Sequence, residues 1–253
     1  DAGMPGLPIV GEGELPGLGM PLPTEVTENI SKYLALNEKC LTLLNEASEM
    51  PRCRYPLDFT TVLSGGCPHL QEFRLAVCLM SLDALAQAEA GNPDGAVKAL
   101  VASIRLGQSL RDEPILVSQQ MTVACVSTNL DCVESVVSRA SLTVPQLEAV
   151  SEELSRIDLQ KPLARAFAGE RCLFNDIRES SLPMEMLGLE QGDRLFVLEA
   201  YEQLIAATGY PPLQAKETEA RLVARADATP FGYARLLVPA LARSLVTPIG
   251  RET

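Results

Sequence analysis

The run from Pro68 to Gly91 constrains this chain more than any other stretch. Leu70, Phe73, Leu75, Val77, Leu79, Met80, Leu82 and Leu85 stand between the two breakers, apolar around much of a helical circumference. Proline fits the first turn of a helix, where its missing N–H costs nothing, and glycine ends a helix by taking the left-handed backbone. A helix that is apolar on several sides must be contacted on several sides, so residues 68–90 are expected at the centre of a packed body.

The rest of the chain carries the same period with the same punctuation. Ile30, Tyr33, Leu34, Leu41, Leu44 and Ala47 recur at helical spacing and predict a helix over 24–48, with Thr24 or, as a second choice, Thr27 as its cap and Met50-Pro51 as its end. Further helices are expected over 94–111, 114–140, 144–157 (after a Thr-Val-Pro-Gln start) and 162–180. Three more, near 190–208, 211–226 and 230–246, finish the chain. Residues 51–67 read as irregular, with prolines and a Gly-Gly pair. No stretch alternates as a strand would. Short connections between long helices favour antiparallel neighbours. The expected fold class is all-α: an irregular helical bundle or a short α-solenoid of antiparallel hairpins, forming a single helical domain over 24–253.

Residues 1–23, DAGMPGLPIVGEGELPGLGMPLP, hold no helical period and read as a Gly/Pro-rich extended arm. The arm's scattered Leu, Ile, Val and Met are too apolar for a solvated tether, so it is expected to lie on the helical body or on a neighbouring subunit. The chain begins at Asp1 rather than Met. That start reads as the residue left after an export signal or anchor is removed, or as an excised piece.

Composition narrows the function. Apolar residues are 47 % of the 253, which excludes a disordered chain, while aromatics are only 4 % and Trp is absent, so the core must be aliphatic. The formal net charge is −12, a field that repels nucleic acid and anionic membrane surfaces. No uninterrupted apolar stretch is long enough to span a bilayer.

The segment ALAQAEAGNPDGAVKALVASIRL (84–106) places Ala84 and Ala88 late in one helix and Ala96, Leu100 and Ser103 early in the next. It resembles a tetratricopeptide (TPR-like) hairpin, in which small residues let two helices approach. The likeness implies a protein-binding helical scaffold. No second copy follows at the repeat period. A broader likeness rests on CRYPLDF (53–59), PHLQEFR (68–74), EPILVSQQM (113–121) and AFAGER (166–171). It resembles a group of uncharacterised helical proteins common in planctomycete-type bacteria. That resemblance implies an extracytoplasmic or periplasmic location, with the cytoplasm as the alternative, and no known activity.

Candidates for chemistry are few. Glu170 and Arg171 interrupt the apolar AFAGERCLF, with Arg165 nearby, and are expected to form a partly buried ion pair that anchors helices or lines a cleft. Cys53 and Cys67 bracket a loop that a disulfide would close in an oxidising compartment. His69, the only histidine, sits beside Cys67; the pair suits metal or nucleophile–base chemistry, but no CxxC accompanies it. Cys125 and Cys132 share a helix face and read as core. Glu148, Glu152 and Glu153 read as a solvated acidic face rather than as a carboxylate pair for acid/base work. The C-terminal GYARLLVPALARSLV carries Arg235 and Arg243 on a largely apolar surface, with Pro239 expected to kink it. No nucleophile elbow, phosphate loop or dinucleotide fingerprint is present.

The sequence therefore specifies no catalytic residue, no cofactor and no metal. The expected function is a non-enzymatic interaction or scaffold protein with a helical groove for a peptide or another subunit. Two alternatives stand beside it. One is an enzyme or small-ligand carrier with an interhelical pocket near Glu170, Arg171 and His69. The other is a structural subunit joined, as a homo-oligomer or larger assembly, through residues 1–23.

Overall fold

The computed structural model describes residues 6–59, 67–176, 191–230 and 232–246. The expected end of the 162–180 helix, from residue 177 on, and the Gly65-Gly66 pair lie outside them. The fold is all-α. Among the described residues ten helices run in order: α1 Thr24–Leu36, α2 Glu38–Ser48, α3 His69–Glu89, α4 Pro93–Gly107, α5 Leu116–Arg139, α6 Val144–Ser155, α7 Gln160–Asp176, α8 Gln191–Ala207, α9 Pro212–Ala228 and α10 Gly232–Val246.

Where one helix was expected over 24–48 there are two. Asn37 separates them with φ −105° and ψ 14°. Its side-chain amide donates to the Tyr33 carbonyl at 2.8 Å. A short polar side chain bonded back to its own turn competes with helix continuation. Thr24 is the first helical residue rather than the cap, which falls on Pro23.

Contacts divide the chain into two compact units, residues 1–110 with 121–157 and residues 111–120 with 158–253. The expectation from the sequence was a single helical domain over 24–253. The division falls inside α5, whose first turn belongs to the second unit.

In the first unit α3 is the central helix, as its apolar circumference requires. It lies against α1, α2 and α4, and Phe73, Val77, Met80, Leu82 and Leu85 are all buried. The α3–α4 connection is a close-fitted turn. Gly91 takes φ +70°, its N–H donates to the Ala88 carbonyl at 3.1 Å, and the Asn92 N–H donates to Gln87 O at 2.9 Å. Asn92 then caps α4 by accepting the Gly95 N–H at 3.1 Å, and Pro93 takes the first helical position. Ala84, Ala88, Ala96 and Leu100 meet in one buried cluster beyond the turn. A Cβ at residue 91 would meet nothing within 4 Å, so its cost is conformational alone. Gly91→Ala is expected to lower stability by about 1 kcal/mol, read as a shift in the urea midpoint with unchanged slope.

The second unit closes around Phe167, Tyr201, Leu204, Leu222 and Val238, supplied by α7, α8, α9 and α10. Helix α10 continues through Pro239 and buries Ala234, Val238, Leu241, Ala242 and Leu245. Core packing therefore accounts for its apolar surface, with Leu236 the large side chain left outside.

Candidate functional site

The residues expected to form an ion pair do not pair with one another. Glu170 on α7 is half-buried, and its Oε1 accepts the Leu116 backbone N–H at 3.0 Å, at the first turn of α5. Arg171 reaches Glu202 on α8 at 2.8 Å, and Arg165 bonds Asp112. Glu170 thus satisfies an orphan amide of a helix start rather than an arginine. A second carboxylate does the same in this unit, since buried Asp193 accepts the Ala234 N–H of α10 at 2.8 Å. Sequence inspection missed both caps because each comes from a different helix, with no local S/T-x-x-E spacing to announce it.

Burial pushes the Glu170 carboxyl above its ordinary value, and the Leu116 N–H offsets only part of that. The folded chain therefore binds this proton more tightly than the unfolded chain. Stability falls as pH rises from the unfolded value toward the raised folded one. Gln keeps the acceptor and carries no charge. Glu170→Gln is expected to match the wild type below about pH 4 and to be the more stable at pH 7. Urea midpoints at the two pH values decide it; a loss that grows toward pH 7 would contradict the assignment.

Cys53 is exposed, Cys67 half-buried, and no disulfide joins them. His69 is stacked on Tyr55 with ring centroids 5.0 Å apart, and Tyr55 hydrogen-bonds Ser109 at 2.9 Å. Among the described residues no cluster of three or more His, Cys, Asp or Glu is placed to hold a metal. Cys125 and Cys132 are buried, with thiols pushed up to about 12 chiefly by burial. A thiol that stays protonated at neutral pH is a poor nucleophile. Cys132 instead joins a polar network inside the helices. Its Sγ donates to Ser81 O at 3.3 Å, and the Ser103 hydroxyl donates to Asn129 Oδ1 at 2.6 Å.

The acidic face of α6 is not uniform. Glu148 and Glu152 are exposed, beside an open depression of about 420 Å³ with Val144, Leu147, Ser151 and Ser155. Glu153 turns inward and meets Arg105 of α4 at 2.7 Å, while Arg105 also reaches Glu49 at 2.9 Å. Burial acts against the Glu153 charge, yet Arg105 and Arg156 more than offset it and hold the carboxyl below its ordinary value. In the second unit a depression of about 410 Å³ is lined by Glu199, Glu202, Gln203, Ala206, Tyr210 and Arg221, four of them exposed.

The most developed binding geometry lies where the Gly/Pro-rich arm meets the helices of the first unit. Leu7 and Leu22 are buried with Ile30 of α1 and Leu82 and Leu85 of α3. Between those anchors Ile9, Val10 and Leu15 are half-buried against the same cluster. The Val10 N–H donates to Pro8 O at 2.7 Å across Ile9, whose φ is +68°. The Gly13 N–H closes back on Leu7 O at 3.1 Å. Only glycine fits at 13, because a Cβ there would stand 2.4 Å from the Gly6 carbonyl oxygen. Polar contacts lock the arm from two helix ends. Glu89, last in α3, accepts the Leu22 N–H at 3.3 Å and the Arg139 Nε–H at 2.9 Å. Arg139, last in α5, also donates to Pro16 O at 3.4 Å and to Ser135 O at 3.0 Å.

This is a buried ion pair, with side chains 4 % and 14 % exposed for Arg139 and Glu89. A glutamate alone at a helix C-terminus faces the negative end of the dipole, and Arg139 offsets that repulsion. What the pair holds is main chain: a carbonyl and an amide of an extended segment.

A scan against protein-family models gives no match, and neither do searches of curated proteins and of solved structures. Among the described residues no helix is long and apolar enough to cross a membrane.

Proposed function

We propose that the chain is a non-enzymatic binding protein whose first unit holds an extended, apolar, Pro/Gly-bearing segment in a seat on its helices. One observation carries the reading: residues 6–22, without helix or sheet of their own, are held by two leucine pockets and by the Glu89–Arg139 pair acting on main-chain groups. Main-chain bonds supply affinity for a non-helical segment, and side-chain pockets supply selectivity. The small residues between α3 and α4 support a TPR-like hairpin as the frame for that seat, and the negative charge of the chain disfavours nucleic acid as its partner. An enzymatic pocket at Glu170 and Arg171 has less support, because both side chains are already engaged and the neighbouring depression is open.

Native purification of the full chain tests the reading. The wild type is expected to carry a stoichiometric protein partner that Arg139→Ala loses. Recovery of the chain with no partner, or of the same partner with the variant, would overturn it.

A further inference from the structure

Helix α2 is apolar on two sides. Leu41 and Leu44 turn inward and pack on the cluster around Phe73, Val77 and Met80 of α3, and Ser48 is buried one turn further on. A second row points outward. Leu36, Cys40, Leu43, Ala47 and Met50 are all exposed, with Leu36, Leu43 and Met50 at 80 %, 55 % and 67 %. Successive members of this row stand four, three, four and three residues apart. That alternation carries an apolar seam along one side of a helix and suits it to a second helix. Leu36 closes α1 and Met50 follows α2, yet the turns at both junctions stay hydrogen-bonded. The Leu41 N–H donates to Asn37 O at 2.9 Å, and the Met50 N–H donates to Ala47 O at 3.1 Å. The inner row already joins α2 to its core, so the outer row is surplus to the fold of the first unit.

The charges beside the outer row say what fits it. Lys39 and Glu46 directly precede Cys40 and Ala47, so they lie seven residues apart on one flank of the seam. Both are exposed, and neither has an ion-pair partner among the described residues. In an antiparallel helix pair the residues on that flank face their own counterparts. Two copies of α2 related by a two-fold axis near Thr42 and Leu43 therefore set Lys39 of each copy against Glu46 of the other. A parallel pair would set neither charge against its opposite.

We propose that the outer face of α2 is a homodimer surface, on which a second copy of this chain lays its own α2 antiparallel. One patch serves both copies, as a two-fold contact requires. The surface lies on α2 rather than on the arm, and it stands whether or not the seat for the arm holds a partner. A contact made by one short helix falls well under the standard interface of about 1,600 Å², so the dimer is expected to come apart on dilution.

Sedimentation velocity of the full chain tests the surface. The wild type is expected to show twice the monomer mass at hundreds of micromolar and one monomer mass at one micromolar. Leu43→Glu is expected to be monomeric at both, with the wild-type urea midpoint at the lower concentration, because Leu43 lies outside the core. Lys39→Glu, or Glu46→Lys, places like charges together twice and is expected to weaken the dimer about tenfold. The double variant Lys39→Glu, Glu46→Lys restores both pairs and is expected to recover the wild-type affinity. A wild type that is monomeric at the higher concentration would overturn the proposal. So would a dimer that survives Leu43→Glu, or a double variant no tighter than the two single ones.

Discussion

Replacing Arg139 with alanine is expected to cost the first unit about 3 kcal/mol and to detach the arm. The size follows from what is left behind. Glu89 is mostly buried beneath the arm, and its charge is tolerated because the Arg139 Nε–H lies 2.9 Å from Oε1. Removing one partner leaves an uncompensated buried carboxylate, which costs far more than the pair contributes when intact. Three further bonds go with it, those to Pro16 O, Ser135 O and Ser138 Oγ. Replacing both partners by apolar residues of similar size tests the origin of the loss. The double variant Glu89→Leu, Arg139→Met is expected to recover most of the stability while leaving the arm loosely held, because Leu22 then lacks its acceptor. A double-mutant cycle on urea midpoints separates the pair energy from the packing change. Additive single effects would contradict the coupling.

Gly169→Ala is expected to be as damaging in the second unit. A Cβ at residue 169 would stand 1.9 Å from the Pro114 carbonyl oxygen and 2.8 Å from its carbon. That oxygen belongs to the main chain leading into α5, and it cannot rotate away. The neighbouring Glu170 holds the Leu116 N–H, so main chain and side chain of α7 grip the same short stretch. A methyl group must push the two segments apart and lose that bond. Overpacking in a fixed site costs about 1–3 kcal/mol, and the broken cap puts this case at the upper end. Because the unit has its own core, the variant is expected to unfold in two steps, the second unit first. Tryptophan is absent, so far-UV circular dichroism is the probe. One transition at the wild-type midpoint would contradict the close approach.

The helices were legible because proline and glycine mark their limits and apolar residues recur between them. Pro68, Gly91 and Pro93 mark the ends of α3 and the start of α4, whereas the end of α4, expected at 111, falls at Gly107. Asn37 was harder to see, since an asparagine inside a helical period is ordinary until its side chain bonds back to Tyr33. The polar contacts that organise each unit were not legible at all. Glu170 was noticed for standing in an apolar stretch; it is half-buried, and its partner is an amide 54 positions away rather than a nearby arginine. Glu89 and Arg139 sit in QAEAG and VSRAS, polar helix ends of a kind that usually face water. Only the arm folding over them makes a buried pair, and a Gly/Pro-rich arm has no periodicity from which its course can be read. Its apolar residues did indicate that it would cover something.

Hydrogen exchange along the arm tests the seat most directly. The amides of Val10, Gly13 and Leu22 have acceptors in Pro8, Leu7 and Glu89, so they are expected to exchange well below free-peptide rates, and Leu22 is expected to lose its protection in Arg139→Ala. Exchange of all three at free-peptide rates in the wild type would mean that the helices of the first unit do not hold the arm.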